Sequence, residues 1–274
     1  MVSVIIPTYN RAHTILRSVN SVLNQTYKDL ELLVIDDGST DNTKELLEQI
    51  NDSRLRYIYL GANSGASNAR NAGVSYASGE WIAFQDSDDE WKPEKLEIQM
   101  NLASKHPEYS MIYSFYTGHF SNTTMSVPAE PLPPIMEGDM YYTLLYRNVI
   151  GAPTTLIKKE AFLQSGGYDT TYKSLEDWEF VIRFSRNYLI GCIPACLMDA
   201  YLQEGGVSSQ VAPYYDARCR MLAEYKDDFV KLGLFDTVAM DILNRAATAG
   251  VQDQVKNMMM LYLQTLPSKI TRKP

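Results

Sequence analysis

The sequence predicts an α/β fold: a mostly parallel central sheet with helices on both faces, followed by a C-terminal helical extension. Three observations predict it. Short β-branched runs alternate with segments of helical hydrophobic spacing through the first half of the chain, the pattern of a parallel sheet covered on both sides. The polar, glycine-containing motifs fall where those runs stop, and ligands of such sheets bind beyond the carboxyl ends of the strands. From residue 214 onward the pattern is helical.

Residues 2–6 are a β-branched run ending at Pro7, as suits a buried strand. Residues 12–24 carry Ile15, Leu16, Val19, Val22 and Leu23 at helical spacing. A second strand, 30–35, is stopped by Asp36-Asp37-Gly38-Ser39, and a helix follows over 40–50. Residues 55–60 read as a third strand, 67–77 as a helix and 81–84 as a fourth strand. Residues 93–106 are helical, with Pro93 in the first turn where its missing N–H costs nothing. Residues 109–120 are strand-like. The stretch 121–139, with Pro128, Pro131, Pro133 and Pro134, reads as a long mobile loop. Residues 154–157 and 193–201 are further strands, and two helical stretches close the chain. The last carries Met258, Met259, Met260 and Leu261, which read as packing or as the subunit contact of a homodimer rather than a ligand box.

The 274 residues suffice for one large α/β domain with a smaller appendage. A net charge of −8 argues against nucleic acid as a partner. Cys192, Cys196 and Cys219 are odd in number and form no C-x-x-C pair, so neither a disulfide framework nor a zinc site is indicated. No segment approaches the ~20 apolar residues that span a bilayer, and the first residues lack the features of a signal peptide. The expected location is cytoplasmic, with Lys269, Arg272 and Lys273 available for peripheral contact with the anionic inner face of a membrane.

The strongest local signal is Asp86-Ser87-Asp88-Asp89 directly after a buried strand. So much negative charge is unfavourable without a cation, and hard divalent ions share carboxylates with substrate phosphates. Strand periodicity would aim Asp86 and Asp88 to one side and Ser87 away. The plainer reading is a solvated acidic turn that caps the following helix. The dehydrogenase alternative fails because no G-x-G-x-x-G follows the first strand, and a sugar-nucleotide pyrophosphorylase would need a glycine-rich basic loop where Pro7-Thr8-Tyr9-Asn10-Arg11 stands.

Around that cluster stand Pro7-Thr8-Tyr9-Asn10, Asp36-Asp37-Gly38-Ser39-Thr40-Asp41, Asn63-Ser64-Gly65 with Ala69-Arg70-Asn71-Ala72-Gly73, and later Gly166-Gly167-Tyr168-Asp169 and Glu176-Asp177. In this order and spacing they resemble glycosyltransferase family 2, whose fold is the GT-A type, over roughly residues 1–205. The resemblance implies a GT-A domain over 1–205, with a nucleotide-binding half (1–105) and an acceptor-side half (106–205), and a helical extension over 206–274. It further implies inverting, metal-dependent transfer of a sugar from a nucleotide-diphosphate donor, UDP-sugar first, to the hydroxyl of a saccharide or glycolipid acceptor in cell-surface polysaccharide or glycolipid synthesis. The second reading is a non-catalytic member acting as a partner in a polysaccharide assembly complex, against which the intact Asp86, Asp88 and Asp177 argue.

Carried onto this chain, the resemblance puts Pro7 and Tyr9 against the nucleotide base. Asp36 or Asp37, with Asp37 preferred, would accept a hydrogen bond from the base edge, the other reading being a helix cap near Thr40. Arg70 would face the base or phosphates, or else pair on the surface with Asp36 or Glu45. Asp86 would meet the ribose, and Asp88 would hold Mn²⁺ or Mg²⁺. Asp177 of the Glu176-Asp177 pair would be the catalytic base, with Glu176 in reserve. Against this, Ser174-x-x-Asp177 resembles a capping box, and a helix-terminal position would favour the ionised, weaker base. Trp178 reads equally as a sugar-facing plane or a core residue. Many members carry a metal-binding histidine in the segment matching 201–208. None of His13, His106 and His119 lies there; His13 reads as structural. Glu204 stands at that place, as an oxygen donor or a surface residue.

Overall fold

The computed structural model describes residues 1–120, 123–201 and 211–269. Four parallel strands form its first half: β1 (Val2–Thr8), β2 (Leu30–Asp36), β3 (Leu55–Tyr59) and β4 (Trp81–Phe84). They lie in the order β3-β2-β1-β4. Strand β1 is buried at every position because both faces are covered. Val2, Val4 and Ile6 pack beneath helix α1 (Ile15–Leu23), while Ile5 joins the opposite core with helix α3 (Ala66–Tyr76). Between α1 and α3 the short helix α2 (Thr43–Glu48) contributes Leu47 to the first core. Gly73 explains how α3 lies so close to the sheet: a Cβ there would stand 2.5 Å from Ile5 Cγ2 and 3.1 Å from Ile35 Cγ1.

Beyond β4 the sheet turns mixed. After β5 (Glu90–Trp91) and helix α4 (Lys95–Lys105) comes the long strand β6 (Tyr109–Phe120), followed by β7 (Thr123–Val127), helix α5 (Tyr141–Tyr146), β8 (Thr155–Lys158), helix α6 (Lys159–Gln164), helix α7 (Glu176–Phe184) and β9 (Leu189–Tyr201). The order continues β4-β8-β6-β9-β5, with β8 antiparallel to both neighbours, β9 parallel to β6, and β5 antiparallel to β9. The expected loop over 121–139 is corrected in part: Thr123–Val127 returns as a strand antiparallel to Tyr116–Phe120, and the prolines begin only after it.

Among the described residues the C-terminal region holds four helices rather than two: α8 (Val211–Glu224), α9 (Lys226–Lys231), α10 (Phe235–Thr248) and α11 (Gln252–Thr265). Gly233 and Gly250, at φ +66° and +73°, end α9 and α10 in the left-handed conformation that glycine adopts without steric cost. Side chains of these helices share one core with α5, α7 and the lower sheet face. Met259 is buried there, whereas Met260 and Leu261 are exposed. The expectation that Lys269 is free for a membrane is also corrected. Its ammonium lies 2.7 Å from Glu179 and 2.8 Å from Glu224, where burial of Glu179 makes a cation necessary. Arg272, Lys273 and Glu204 lie outside the described residues. Among the described residues no helix is long and apolar enough to cross a membrane.

Candidate active site

The carboxyl ends of β1, β2 and β4 open into a cleft of about 680 Å³ that runs on to the N-terminus of α7. Pro7, Tyr9, Asp37, Arg70, Asp86, Asp88 and Asp177 all line it. Asp36 does not. It is fully buried, accepting from Tyr57 Oη at 2.7 Å and from the Ser39 N–H at 2.7 Å, so it braces β3 and the turn instead of meeting a ligand.

The motifs hold one another. The Asn10 N–H donates to Ser39 Oγ, the Thr40 N–H to Asn10 Oδ1, and the Arg11 N–H to Thr43 Oγ1. Asn10 takes the left-handed conformation, φ 54°, which asparagine tolerates better than most residues. This lacing presents Tyr9 with its ring exposed. Gly38 is required because a side chain at φ +89° would sit 3.0 Å from the Ala62 and Asn63 backbone. Asp37 draws that same segment in, accepting from the Ser64 N–H, Ser64 Oγ and the Gly65 N–H at 2.7–3.0 Å. A carboxylate has about four acceptor positions, and these contacts fall on both of its oxygens, so Asp37 holds the Ser64–Gly65 segment at the cleft wall.

Arg70 is the electrostatic centre. Almost fully buried, it donates to Asp86 Oδ1 at 2.7 Å and to Glu176 Oε1 at 2.9 Å. The surface pairing with Asp36 or Glu45 is therefore corrected. Arg70 joins the acidic loop after β4, 16 positions away, to the start of α7, 106 positions away. Its neighbour Asn71 clamps the Tyr168 backbone, accepting from its N–H and donating to its C=O. Arg70, Asn71 and Gly73 thus have separate jobs: charge bridge, loop clamp and close packing.

The acidic loop is a turn, not an extension of the strand: Asp89 N–H donates to the Asp86 carbonyl at 3.2 Å. Ser87 therefore lines the cleft beside Asp86 and Asp88, against the alternation expected from strand geometry. Nor is it a solvated cap, because Ser87 and Asp89 are buried and the short strand β5 follows. From α1, Arg17 donates to the Asp88 carbonyl and Ser18 Oγ to the Asp86 carbonyl. Burial, followed by the charge of Asp86, raises the Asp88 carboxyl above its ordinary range, and the same causes with Asp88 added push Asp89 up to about 8. Arg11 Nε stands 3.8 Å from Asp88 Oδ2.

At the far end, α7 is capped by Leu175 in the left-handed conformation, φ 58°, with no side-chain cap bond. The capping box does not form. Asp177 instead accepts from the Trp178 N–H at 2.7 Å, and burial, then Glu176, push its carboxyl up to about 7 against the pull of Arg70. This corrects the expectation of a weak, fully ionised base: desolvation outweighs the helix terminus. Trp178 is a core residue, its Nε1 donating to the Leu144 carbonyl at 2.6 Å and its ring covered by Arg218 at 4.2 Å. Sequence reasoning missed Tyr116, Tyr201 and Tyr214, which also line the cleft. The signal was weak, since isolated tyrosines on β6, β9 and α8 have no motif around them.

A parallel sheet with a sugar-nucleotide-sized cleft, an acidic loop after its fourth strand and a second carboxylate pair across from it is the arrangement of GT-A glycosyltransferases. Residues 3–162 match the family model described as glycosyl transferase family 2. A putative teichuronic acid biosynthesis glycosyltransferase, TuaG of Bacillus subtilis (strain 168), is 34% identical over 76% of this chain and 82% of its own length. The Escherichia coli UDP-Glc:alpha-D-GlcNAc-diphosphoundecaprenol beta-1,3-glucosyltransferase WfgD is 47% identical over 42% of this chain, but only 46% of that enzyme's length is matched. In fold, the chain is similar to Staphylococcus aureus TarS 1–349 in complex with UDP-GlcNAc (TM-score 0.70, 22% identity, 97% of this chain and 81% of the other). It is also similar to the mannosyltransferase PcManGT of Pyrobaculum calidifontis in complex with GDP-Man and Mn²⁺ (TM-score 0.61, 18% identity, 96% and 80%). The chain belongs to glycosyltransferase family 2.

Proposed function

We propose that this glycosyltransferase moves a sugar from a UDP-sugar to a saccharide or glycolipid hydroxyl, with inversion and with help from Mn²⁺ or Mg²⁺, in cell-surface polysaccharide or glycolipid synthesis. The observation that carries this reading is the convergence of Tyr9 and Asp37, of Asp86 and Asp88, and of Asp177 on one cleft. Donor binding falls to residues 1–105 and acceptor handling to 106–205, with 206–274 as the helical extension. Pro7 and the exposed Tyr9 ring would lie against the base, Asp37 would take its edge, and Asp86 the ribose.

The donor set suits a hard divalent cation. Asp88 is disfavoured as an anion by burial and by Asp86, a cost that a cation relieves. Among the described residues no three acidic, histidine or cysteine side chains converge to hold an ion alone, so substrate phosphates would complete the shell that Asp88 begins, as is common for such ions. When bound, the ion would offset charge on the departing nucleotide. Asp177 would take the proton of the acceptor hydroxyl as its oxygen bonds to the anomeric carbon and the carbon–oxygen bond to the diphosphate breaks. A single displacement of that kind inverts the centre.

The relatives support the substrate classes: WfgD is named for a UDP-glucose donor and a diphosphoundecaprenol-linked acceptor, and TuaG for teichuronic acid synthesis. The test is a panel of UDP-, dTDP- and GDP-sugars incubated with Mn²⁺ or with EDTA, read as release of free nucleotide. Release from UDP-sugars in Mn²⁺ that stops in EDTA is expected. Full turnover in EDTA would remove the metal, and release confined to another nucleotide would remove UDP.

A further inference from the structure

The diphosphate of a nucleotide-sugar is anionic, and a cleft that holds it must offer positive charge. Among the described residues the cationic side chains lining the cleft are Arg11 and Arg70. They differ in what they have left to give. The Arg70 side chain is 8% exposed, and its two terminal nitrogens are taken by Asp86 at 2.7 Å and Glu176 at 2.9 Å. A phosphate could use that fork only by breaking one of these bonds and leaving a carboxylate unpaired, which is costly.

Arg11 stands differently. Its side chain is 35% exposed, and its charged neighbour is Asp88, with Nε 3.8 Å from Oδ2, beyond hydrogen-bond reach. Among the described residues the guanidinium has no hydrogen-bond acceptor. The backbone beneath it is fixed on both sides. The Arg11 N–H donates to Thr43 Oγ1 at 3.1 Å, and the Arg11 carbonyl accepts from the Thr14 and Ile15 N–H groups at 3.0 and 2.9 Å. A held backbone thus carries an uncommitted fork, two residues after Tyr9 and beside Asp88. That is the ground between the proposed base and metal positions, and a guanidinium fork matches phosphate oxygens through two parallel bonds.

Asp88 gives a second argument. Burial and Asp86 raise its carboxyl, and Arg11 offsets part of that rise. With a divalent cation at Asp88, the ion and Arg11 would repel each other across one carboxylate unless a further anion joined them. The donor's diphosphate is such an anion.

We infer that Arg11 binds the diphosphate of the donor, leaving Asp88 to the cation, while Arg70 stays with Asp86 and Glu176. This rests on the proposed donor reading and gives the phosphate contact to Arg11, where the motif resemblance offers Arg70.

The test compares the full chain with Arg11→Met and Arg11→Lys, titrating UDP by calorimetry and uridine by ligand-observed NMR, both with Mg²⁺. Arg11→Met should weaken UDP roughly 10- to 100-fold, the range for hydrogen bonds to a charged group, and leave uridine within about 2-fold of the parent. Arg11→Lys keeps the charge without the fork and should fall between. An Arg11→Met protein that binds UDP like the parent would reduce Arg11 to a surface partner of Asp88, a pairing worth little, and overturn the inference. Loss of UDP and uridine by the same factor would overturn it too, since Arg11 would then support the base pocket or the fold. A parent protein that binds neither ligand would instead overturn the donor reading on which the inference rests.

Discussion

Replacing Arg70 with methionine removes the cation that joins Asp86 to Glu176 across the cleft. The side chain keeps much of its length and loses two charge-assisted bonds, at 2.7 Å to Asp86 and 2.9 Å to Glu176. Removing one partner from a buried ion pair costs roughly 3–5 kcal/mol, because a charge is left without compensation. Asp86 is 33% and Glu176 19% exposed along the side chain, so both can recover some hydration, and the expected loss is at the lower end, about 3 kcal/mol. For a chain of this size that lowers the melting temperature by roughly 6–12 °C. A second effect reports on chemistry. Arg70 pulls the Asp177 carboxyl down; without it the carboxyl rises further, and a base that must be ionised then needs a higher pH. The acid limb of kcat/KM for transfer should shift to higher pH in Arg70→Met. Arg70→Lys, which keeps the charge but not the fork, should fall between. Thermal melts and pH–rate profiles of the three proteins decide. A methionine variant that melts within 2 °C of the parent, as judged against that expected shift, with an unmoved acid limb would refute the bridge.

Other expectations follow from single contacts. Asp88→Ala should abolish metal-dependent UDP binding while melting close to the parent; an active Asp88→Ala enzyme would move the ion elsewhere. Tyr9→Ala should weaken UDP by on the order of 1–2 kcal/mol in calorimetry. Unchanged affinity would take the base away from Tyr9. Gly73→Ala should be destabilising by roughly 1–3 kcal/mol, since its Cβ would strike Ile5 at 2.5 Å; urea midpoints check it, and a neutral result would show that α3 can back away from the sheet.

Much of the first four strands and their motifs was legible because the signals are local. A strand buried on both faces needs a continuous apolar run, and the polar motifs interrupt such runs at residues 7, 36 and 85. What stayed hidden depends on residues distant in sequence. Nothing near Asp36 announces that Tyr57, 21 positions on, will take up its carboxylate and leave Asp37 to face the cleft. The partners of Arg70 come from two different segments, and the burial that raises Asp177 comes from packing around it rather than from its helix position. The division of the C-terminal region was a different kind of miss. Gly233 and Gly250 are helix stops that the sequence displays, and apolar spacing alone ran past them. The strand Thr123–Val127 was obscured by the prolines just beyond it.

Asp177→Asn tests the proposed role of Asp177 as proton acceptor most directly. Asparagine keeps the shape and the oxygen that meets the Trp178 N–H. The parent carboxyl, raised to about 7, is destabilising where it is forced to ionise. Its contribution to stability is therefore fully present below about pH 4 and falls away as the pH rises through about 7. At pH 8 the variant should thus melt at or above the parent, not below it as loss of a cap would require. It should bind UDP normally, and its turnover should fall at least ~10²-fold with the acid limb near pH 7 gone. An Asp177→Asn enzyme turning over at close to the parental rate, with that limb intact, would contradict the mechanism.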